Sequence, residues 1–374
     1  GTAPLVYTKT NNNAGITLNS STGALTINGS FAPGNYYETV TATDAYGLTQ
    51  IAPVTFVVNE TLSISPVATI VNTLGKSSTY GALVTTGGTG SITFTIAANF
   101  NNYVTIDSAT GAITVSGSLP AGDYVETVTA TDSVGYSNVR TIAVQVNSSI
   151  QIGGGSATLT TTLGRTIYSD TFTSTGGTGA RSFSISPTVT GITIDSTTGR
   201  ITVTGANVGT FTETVTLADS RGASSTSVVV ITVNPVATLT AISGLGTTFK
   251  TARTLKVVNV SGGTGPFTYS MSPPNANISI DTNTGFVTLS ASLAKGTYNE
   301  SITVTDTRGA TSVINVVLTV NDTMTVTGLT SFTTTQGRVY TSGALTVTGG
   351  TGTKTFTISP SQTGLTIKIG RASC

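Results

Sequence analysis

The sequence predicts an all-β chain built as a tandem array of small sandwich domains, and three observations carry that prediction. The phrase Gly-Gly-Thr-Gly begins at Gly87, Gly176, Gly262 and Gly349, in steps of 89, 86 and 87 residues, and a fixed period of that size marks one repeated domain. Short runs rich in Val, Ile and Thr recur between Gly- and Asp-containing turns, as half-buried pleated strands require. No stretch leaves room for a long helix.

Other landmarks keep the same beat. Four turns read Leu18 to Gly23, Ile106 to Gly111, Ile194 to Gly199 and Ile280 to Gly285, each ending Thr-Gly. Four strands follow, Tyr36 to Asp44, Tyr124 to Asp132, Phe211 to Asp219 and Tyr298 to Asp306, each with Glu at its third position and Asp at its end. A Val-Asn pair closes each repeat at Asn59, Asn147, Asn234 and Asn321. These pairs set the expected boundaries: a partial repeat over 1–60, whole repeats over 61–148, 149–235 and 236–322, and a partial repeat over 323–374.

Within the 61–148 repeat, strands are expected near Leu62 to Val71, Ser78 to Thr85, Ser91 to Ile96, Tyr103 to Ile106, Ala112 to Ser116, Tyr124 to Thr131 and Val139 to Val146. Seven short strands with such punctuation predict an immunoglobulin-like sandwich. In the Tyr124 strand, period-two geometry puts Tyr124, Val128 and Ala130 on one face and Thr127, Thr129 and Thr131 on the other. The apolar face goes inward. Phe211 replaces Tyr124 one repeat later, so packing rather than the hydroxyl is expected to conserve the ring's place. Glu126 shares the apolar parity, and an unpaired buried charge is costly; it is expected at the sandwich end, reaching backbone donors or a Lys.

Composition excludes several functions. The chain holds 16 Lys plus Arg and 15 Asp plus Glu, only 8% charged residues, so no basic surface exists for nucleic acid. No apolar run is long enough for a membrane-spanning helix. Histidine is absent and one Cys is present, which removes the common zinc sets and the Ser-His and Cys-His nucleophilic arrangements. No catalytic, cofactor-binding or metal residue is expected. Gly-Gly-Thr-Gly lacks the following Lys and helix of a phosphate loop and reads as a tight turn.

Both ends fall inside the pattern. Gly1 to Tyr7 aligns with Gly263 to Tyr269, and Ile367 runs into Lys368-Ile369-Gly370-Arg371-Ala372-Ser373-Cys374 where an Asp and a Thr-Gly turn are due. Reverse-translated with suitable codons, those seven residues match a common sequencing adapter, so residues 368–374 are expected to be a read-through artefact and Cys374 no part of the natural protein.

Taken together, Gly-Gly-Thr-Gly, the turn Ile106-Asp107-Ser108-Ala109-Thr110-Gly111, the strand Glu126-Thr127-Val128-Thr129-Ala130-Thr131-Asp132 and the closing Val-Asn resemble the bacterial putative Ig, cadherin-like repeats. The resemblance spans every repeat. It implies an extracellular or cell-surface setting, in large adhesins or as spacers of secreted enzymes. Cadherins proper stiffen their junctions with calcium, and here the chain departs from them. Leu119-Pro120-Ala121-Gly122-Asp123 stands where an Asp-Arg-Glu run is due. The junctions after Val146-Asn147, Val233-Asn234 and Val320-Asn321 lack the acidic linker cluster.

Calcium wants six to eight oxygens, several of them carboxylates. A residual site using Asp44, Asp132, Asp219 and Asp306 with Glu38, Glu126, Glu213 and Glu300 is the weaker reading. Turn-forming Asp side chains bonded to nearby backbone N–H are the stronger one. Eight Asn-X-Ser/Thr triplets, at Asn19, Asn28, Asn59, Asn147, Asn259, Asn277, Asn299 and Asn321, are largely the coincidence of a Thr-rich chain.

The expected function is a non-catalytic structural stalk segment of a surface protein of the adhesin type. Its partners would be the neighbouring repeats, with a surface glycan or protein engaged through other regions. The alternatives are spacer repeats of an extracellular polysaccharide-degrading enzyme and glycan-binding loops on the repeats themselves. Trp is absent, and most of the 12 Tyr and 12 Phe fall on strands, which leaves few platforms for stacking a sugar.

Overall fold

The computed structural model describes residues 1–10, 13–29, 31–97, 102–328 and 331–367; the Lys368–Cys374 tail and its Cys374 lie outside them. Every regular element among the described residues is a β-strand. The chain is an all-β tandem array of Ig-like, cadherin-like sandwiches.

The repeat closed by Asn147 shows the plan. Four strands form one sheet in the order Thr93–Ile96, Gly122–Thr131, Ser137–Asn147 and Ile70–Thr73. Three form the other, Val104–Ile106, Ile113–Val115 and Ser78–Tyr80. The expected runs Leu62 to Val71 and Ser78 to Thr85 are each broken in two. Their outer pieces, Ser63–Ile64 and Thr85–Thr86, pair as a separate ribbon, so seven strands make the two sheets and two more make a flap. The long hairpin pairs Tyr124 with Val144 and Thr131 with Ser137, while Ile70–Thr73 runs parallel to Ser137–Asn147.

Alternation decides what is buried. Val128 and Ala130 are fully buried, Thr127 and Thr129 half-buried on the opposite face. Leu62, Ile64, Phe94, Ile113, Val115 and Val144 meet them in the core. On the three-stranded sheet Thr79 faces Thr114 at 2.9 Å, and Thr254 faces Thr288 at 3.0 Å two repeats later. Such cross-strand hydroxyl pairs satisfy an outer face without charge. Tyr124 packs against this core, yet its hydroxyl is also used. It donates to the Pro120 carbonyl at 2.8 Å, as Tyr36 does to Ala32 and Tyr298 to Ala294, an arrangement like the tyrosine corner of Ig sandwiches.

The chain divides into two compact units. The first comprises Gly1–Gly153, Ser174–Ser182 and Thr216–Thr226; the second comprises Gly154–Thr173, Phe183–Val215 and the residues from Ser227 onward. The first unit thus holds the sandwich just described together with the Gly-Gly-Thr-Gly loop at 176 and the turn after Asp219. It also holds the partial sandwich of Val6–Lys9, Gly34–Thr43 and Thr49–Val58 with the hairpin Ile16–Leu18 and Leu25–Ile27.

In the second unit Thr158–Thr162 runs parallel to the Val230–Asn234 segment. A complete sandwich there has the sheets Gly246–Thr248, Thr311–Asn321, Gly296–Thr305, Thr268–Ser272 and Arg253–Lys256, Phe286–Leu289, Ile278–Ile280. Its core gathers Leu255, Val287, Leu289, Ile302, Val304 and Leu318. Ile302 is wholly buried, and truncating such a side chain loses its transfer energy and leaves a cavity. Ile302→Ala is expected to destabilise that sandwich by about 2–5 kcal/mol, read as a shift of its urea transition to lower denaturant.

Candidate functional site

Three of the periodic motifs, the closing Asn, the Gly-Gly-Thr-Gly loop and the strand-ending Asp, meet at one kind of place, the junction between successive repeats. Each Gly-Gly-Thr-Gly loop is a tight turn with its first Gly at positive φ, 69° at Gly87 and 66° at Gly176. A Cβ on Gly176 would lie 2.1 Å from the Ser149 carbonyl, and one on Gly87 2.3 Å from that of Thr61. Only glycine fits so close an approach. The loop thereby presses on the segment just after the closing Asn and aims its Thr at the repeat before.

At the junction after Asn147, Thr73 donates its hydroxyl proton to Asp219 Oδ2 at 2.6 Å, and its oxygen also lies 2.7 Å from Thr178 Oγ1. Thr178 Oγ1 accepts from Asn147 Nδ2 at 2.9 Å and lies 3.0 Å from the Asn72 carbonyl. Because each hydroxyl has one proton, Thr73 gives its own to the carboxylate, the charge-assisted choice. Thr178 is left to donate to Asn72. The remaining Asp219 capacity is filled from within its repeat: Thr178 N donates to Oδ2 at 2.8 Å, and Arg221 N and Ala223 N donate to Oδ1 at 2.9 Å each. Thr73, Thr178 and Asp219 are all buried. Outside this network Arg221 sets its guanidinium over the Tyr80 ring, 5.1 Å from the centroid.

The junction after Asn234 repeats the arrangement. Thr162 donates to Asp306 and lies 2.7 Å from Thr264 Oγ1, which accepts from Asn234 Nδ2 at 3.1 Å. Thr264 N, Arg308 N and Ala310 N complete the Asp306 carboxylate, and Arg165 donates to the Gly309 carbonyl. Two other junctions show part of the same network. After Asn59, Thr89 accepts from Asn59 and its N–H donates to Asp132; after Asn321, Thr351 accepts from Asn321 and lies 3.0 Å from Thr248.

The electrostatics follow. Burial raises Asp219 and Asp306, but the Thr hydroxyl and three backbone donors outweigh it, and both carboxyls end below the usual range. Asp132 behaves likewise with backbone donors alone. Asp107, Asp195 and Asp281 are turn acids, each bonded to backbone N–H and to a Thr hydroxyl in its own Thr-Gly turn and so held low. That matches the turn account of these residues.

The other recurrent acid departs from expectation. Glu126 sits within the strand, opposite Ile142 and on the buried face, rather than at the sandwich end. Parity overrides charge here because the strand cannot turn one side chain outward without turning them all. Glu38, Glu213 and Glu300 are buried in the same way. Burial pushes the Glu213 and Glu300 carboxyls up. Neither oxygen of Glu213 has a hydrogen-bonding partner among the described residues. Among those residues no three His, Cys, Asp or Glu side chains are grouped to hold a metal ion.

No family profile and no curated protein matches the chain. Solved structures with similarity include the human Desmocollin-1 ectodomain, at 14% identity over 86% of this chain and 75% of that one, TM-score 0.28. An I-band fragment of titin is 14% identical over 67% of this chain and 94% of its own, TM-score 0.35. Drosophila N-cadherin is 13% identical over 84% and 92%, TM-score 0.25.

Sequence reading found three members of the junction, Asn147, Thr178 and Asp219, as periodic letters without seeing that they touch. It missed Thr73, Thr162 and Thr248. Their signal was the phrase before the turn, Asn72-Thr73-Leu74-Gly75, Thr161-Thr162-Leu163-Gly164 and Thr247-Thr248-Phe249-Lys250, also in period.

Asp219→Asn removes the charge from the buried hydrogen bond and is expected to destabilise by about 1.5–3 kcal/mol. In a double-mutant cycle with Thr73→Val, the two losses fall short of additive, because each removes the same bond. Chemical denaturation of the full chain measures it.

The two classes of acid give opposite pH dependences. With folded values depressed, Asp219 and Asp306 contribute stability above their unfolded value of about 3.9, lost as pH falls towards the folded value. With its folded value raised, Glu213 contributes most below its unfolded value of about 4.3 and loses this as pH rises. Glu213→Leu is therefore expected to raise the melting temperature at neutral pH, with the gain shrinking towards pH 4.

Proposed function

We propose that the chain is a non-catalytic structural stalk segment of a secreted or cell-surface protein, of the adhesin type, whose repeats span 61–148, 149–235 and 236–322 and are joined in series by the Thr–Asp clasp. The observation that carries this reading is the recurrence of one buried network, using the same four periodic positions, at the junctions after Asn147 and Asn234. A clasp closed by the side chains of both partners restrains a hinge that a short linker alone would leave free. It supports a role in holding a spacing rather than in chemistry.

The clasp also leaves the junction carboxylate little to offer a cation. Both oxygens of Asp219 are engaged by N–H and O–H donors, which are the wrong polarity for a neighbouring cation and leave few free lone pairs for one. The stalk is accordingly read as calcium-independent. Its partners in the segment are its own neighbouring repeats. Target binding, to a surface glycan or a protein, is assigned to other parts of the natural protein.

Single-molecule pulling of the full chain in chelator tests this. Successive unfolding peaks are expected with contour increments of about 300 Å, the extended length of one repeat, at forces that millimolar calcium leaves unchanged. A calcium-dependent rise in force or melting temperature would transfer the junctions to a metal-stiffened class.

A further inference from the structure

Two loops of the 61–148 repeat part where those of the later repeats stay joined. The ribbon of Ser63–Ile64 and Thr85–Thr86 runs on through a bond from Ser65 N to the Val84 carbonyl at 2.8 Å. Two residues further, no bond joins Val67 to Ala82. The loops are tied again where Tyr80 Oη donates to the Val71 carbonyl at 2.6 Å. Between these two closures lies a cleft of about 340 Å³, lined by Val67 and Ala82, by the buried Leu83 and Ile113, and by Tyr80 and Arg221.

The later repeats close the same gap from within. In the next one, 89 residues on, Ser156 stands for Val67 and Asp170 for Gly81. Ser156 Oγ donates to Asp170 Oδ2 at 3.0 Å, and Asp170 N donates to Ser156 Oγ at 3.1 Å, which bridges the two loops. In the repeat after that, Ile242 and Val257 take the places of Val67 and Ala82, and Ile242 N donates to the Val257 carbonyl at 2.9 Å. The open cleft thus falls where one sister repeat holds a carboxylate. It is also bordered by cations. The Arg221 guanidinium lies 5.1 Å from the Tyr80 centroid, and Lys76 Nζ reaches the same turn, 3.6 Å from where a Cβ on Gly222 would be. Neither has an ion-pair partner among the described residues, and the Asp219 carboxylate of that turn is engaged in the clasp.

We propose that this cleft binds an acidic sugar, a pyranose bearing a carboxylate such as a hexuronate residue of a polysaccharide, with Arg221 paired to the carboxylate. The site is additional to the target binding placed in other parts of the natural protein. The ligand carboxylate takes the part that Asp170 plays inside the next repeat, and the guanidinium fork matches its two oxygens. The C–H face of the ring packs against Leu83, Ile113 and the Tyr80 ring. The Val67 N–H and the Ala82 carbonyl, not bonded to each other, are left for ring hydroxyls. A peptide strand added to a sheet edge needs open ends to run through, and here a hydrogen bond shuts each end, so the space suits a compact ring.

Isothermal titration of the full chain with a hexuronate oligosaccharide tests this, beside the same oligosaccharide with its carboxyl groups reduced to alcohols. The acidic form is expected to bind saturably at low salt, more weakly as salt rises, and about tenfold more tightly than the reduced form. Arg221→Gln is expected to lower the affinity by a similar factor. Val67→Ser with Gly81→Asp builds the bridge of the next repeat into the cleft and is expected to abolish binding, while an unchanged urea transition shows that the sandwich still folds. Absence of saturable binding by the acidic form overturns the proposal. Undiminished binding by the folded, closed variant does so too, because it puts the sugar elsewhere. A glutamate oligomer that binds as tightly as the uronate overturns the choice of a sugar.

Discussion

The carboxylate at the end of the Leu-Ala-Asp strand, Asp219, and its counterpart Asp306 are each shared between two repeats, and the rest of the junction is arranged around that sharing. Inside its own repeat Asp219 takes N–H groups from Thr178, Arg221 and Ala223, which fixes the Gly-Gly-Thr-Gly loop against the turn after the strand. Its fourth bond comes from Thr73 of the preceding repeat. A buried carboxylate is tolerable only when it is fully supplied with donors. The seat is prepared by one repeat and completed by the other, so docking two repeats satisfies a group that would otherwise be desolvated short of a partner.

This explains why motifs spread along the sequence share one period. Asn147 closes a strand, Thr178 sits in a loop and Asp219 ends a hairpin strand, and the bonded Asn147 and Thr178 are 31 positions apart. No local rule ties them together. They recur together because each contributes to the same small network, and a change at any of them would leave another buried polar group short of its partner. The glycines belong to the same constraint: the loop must approach the preceding segment more closely than a side chain allows.

The two sets of acids show how burial acts in opposite senses. At the junction, converging backbone and hydroxyl donors hold the aspartates ionised. In the sandwich cores, Glu213 and Glu300 are desolvated by burial and pushed towards the neutral acid. The partial first sandwich places an amine and a carboxamide beside Glu38, so the same core position has different neighbours in different repeats.

Period, composition and strand parity determined the all-β repeat plan from the sequence alone, because two-residue alternation and Gly-rich turns are local rules that each segment obeys by itself. The turn role of Asp107 and the inward face of Tyr124, Val128 and Ala130 were legible for the same reason. Glu126 was misplaced because charge argued against parity, and the pleat allows no exception. The breaks at Ser63–Ile64 and Thr85–Thr86 were invisible because an apolar run does not say which sheet its ends join. Only the tertiary structure decided that Thr73 reaches Asp219 across 146 residues, since a hydrogen bond between hydroxyl and carboxylate depends on how two folded repeats meet, and nothing in either segment's own pattern encodes that meeting.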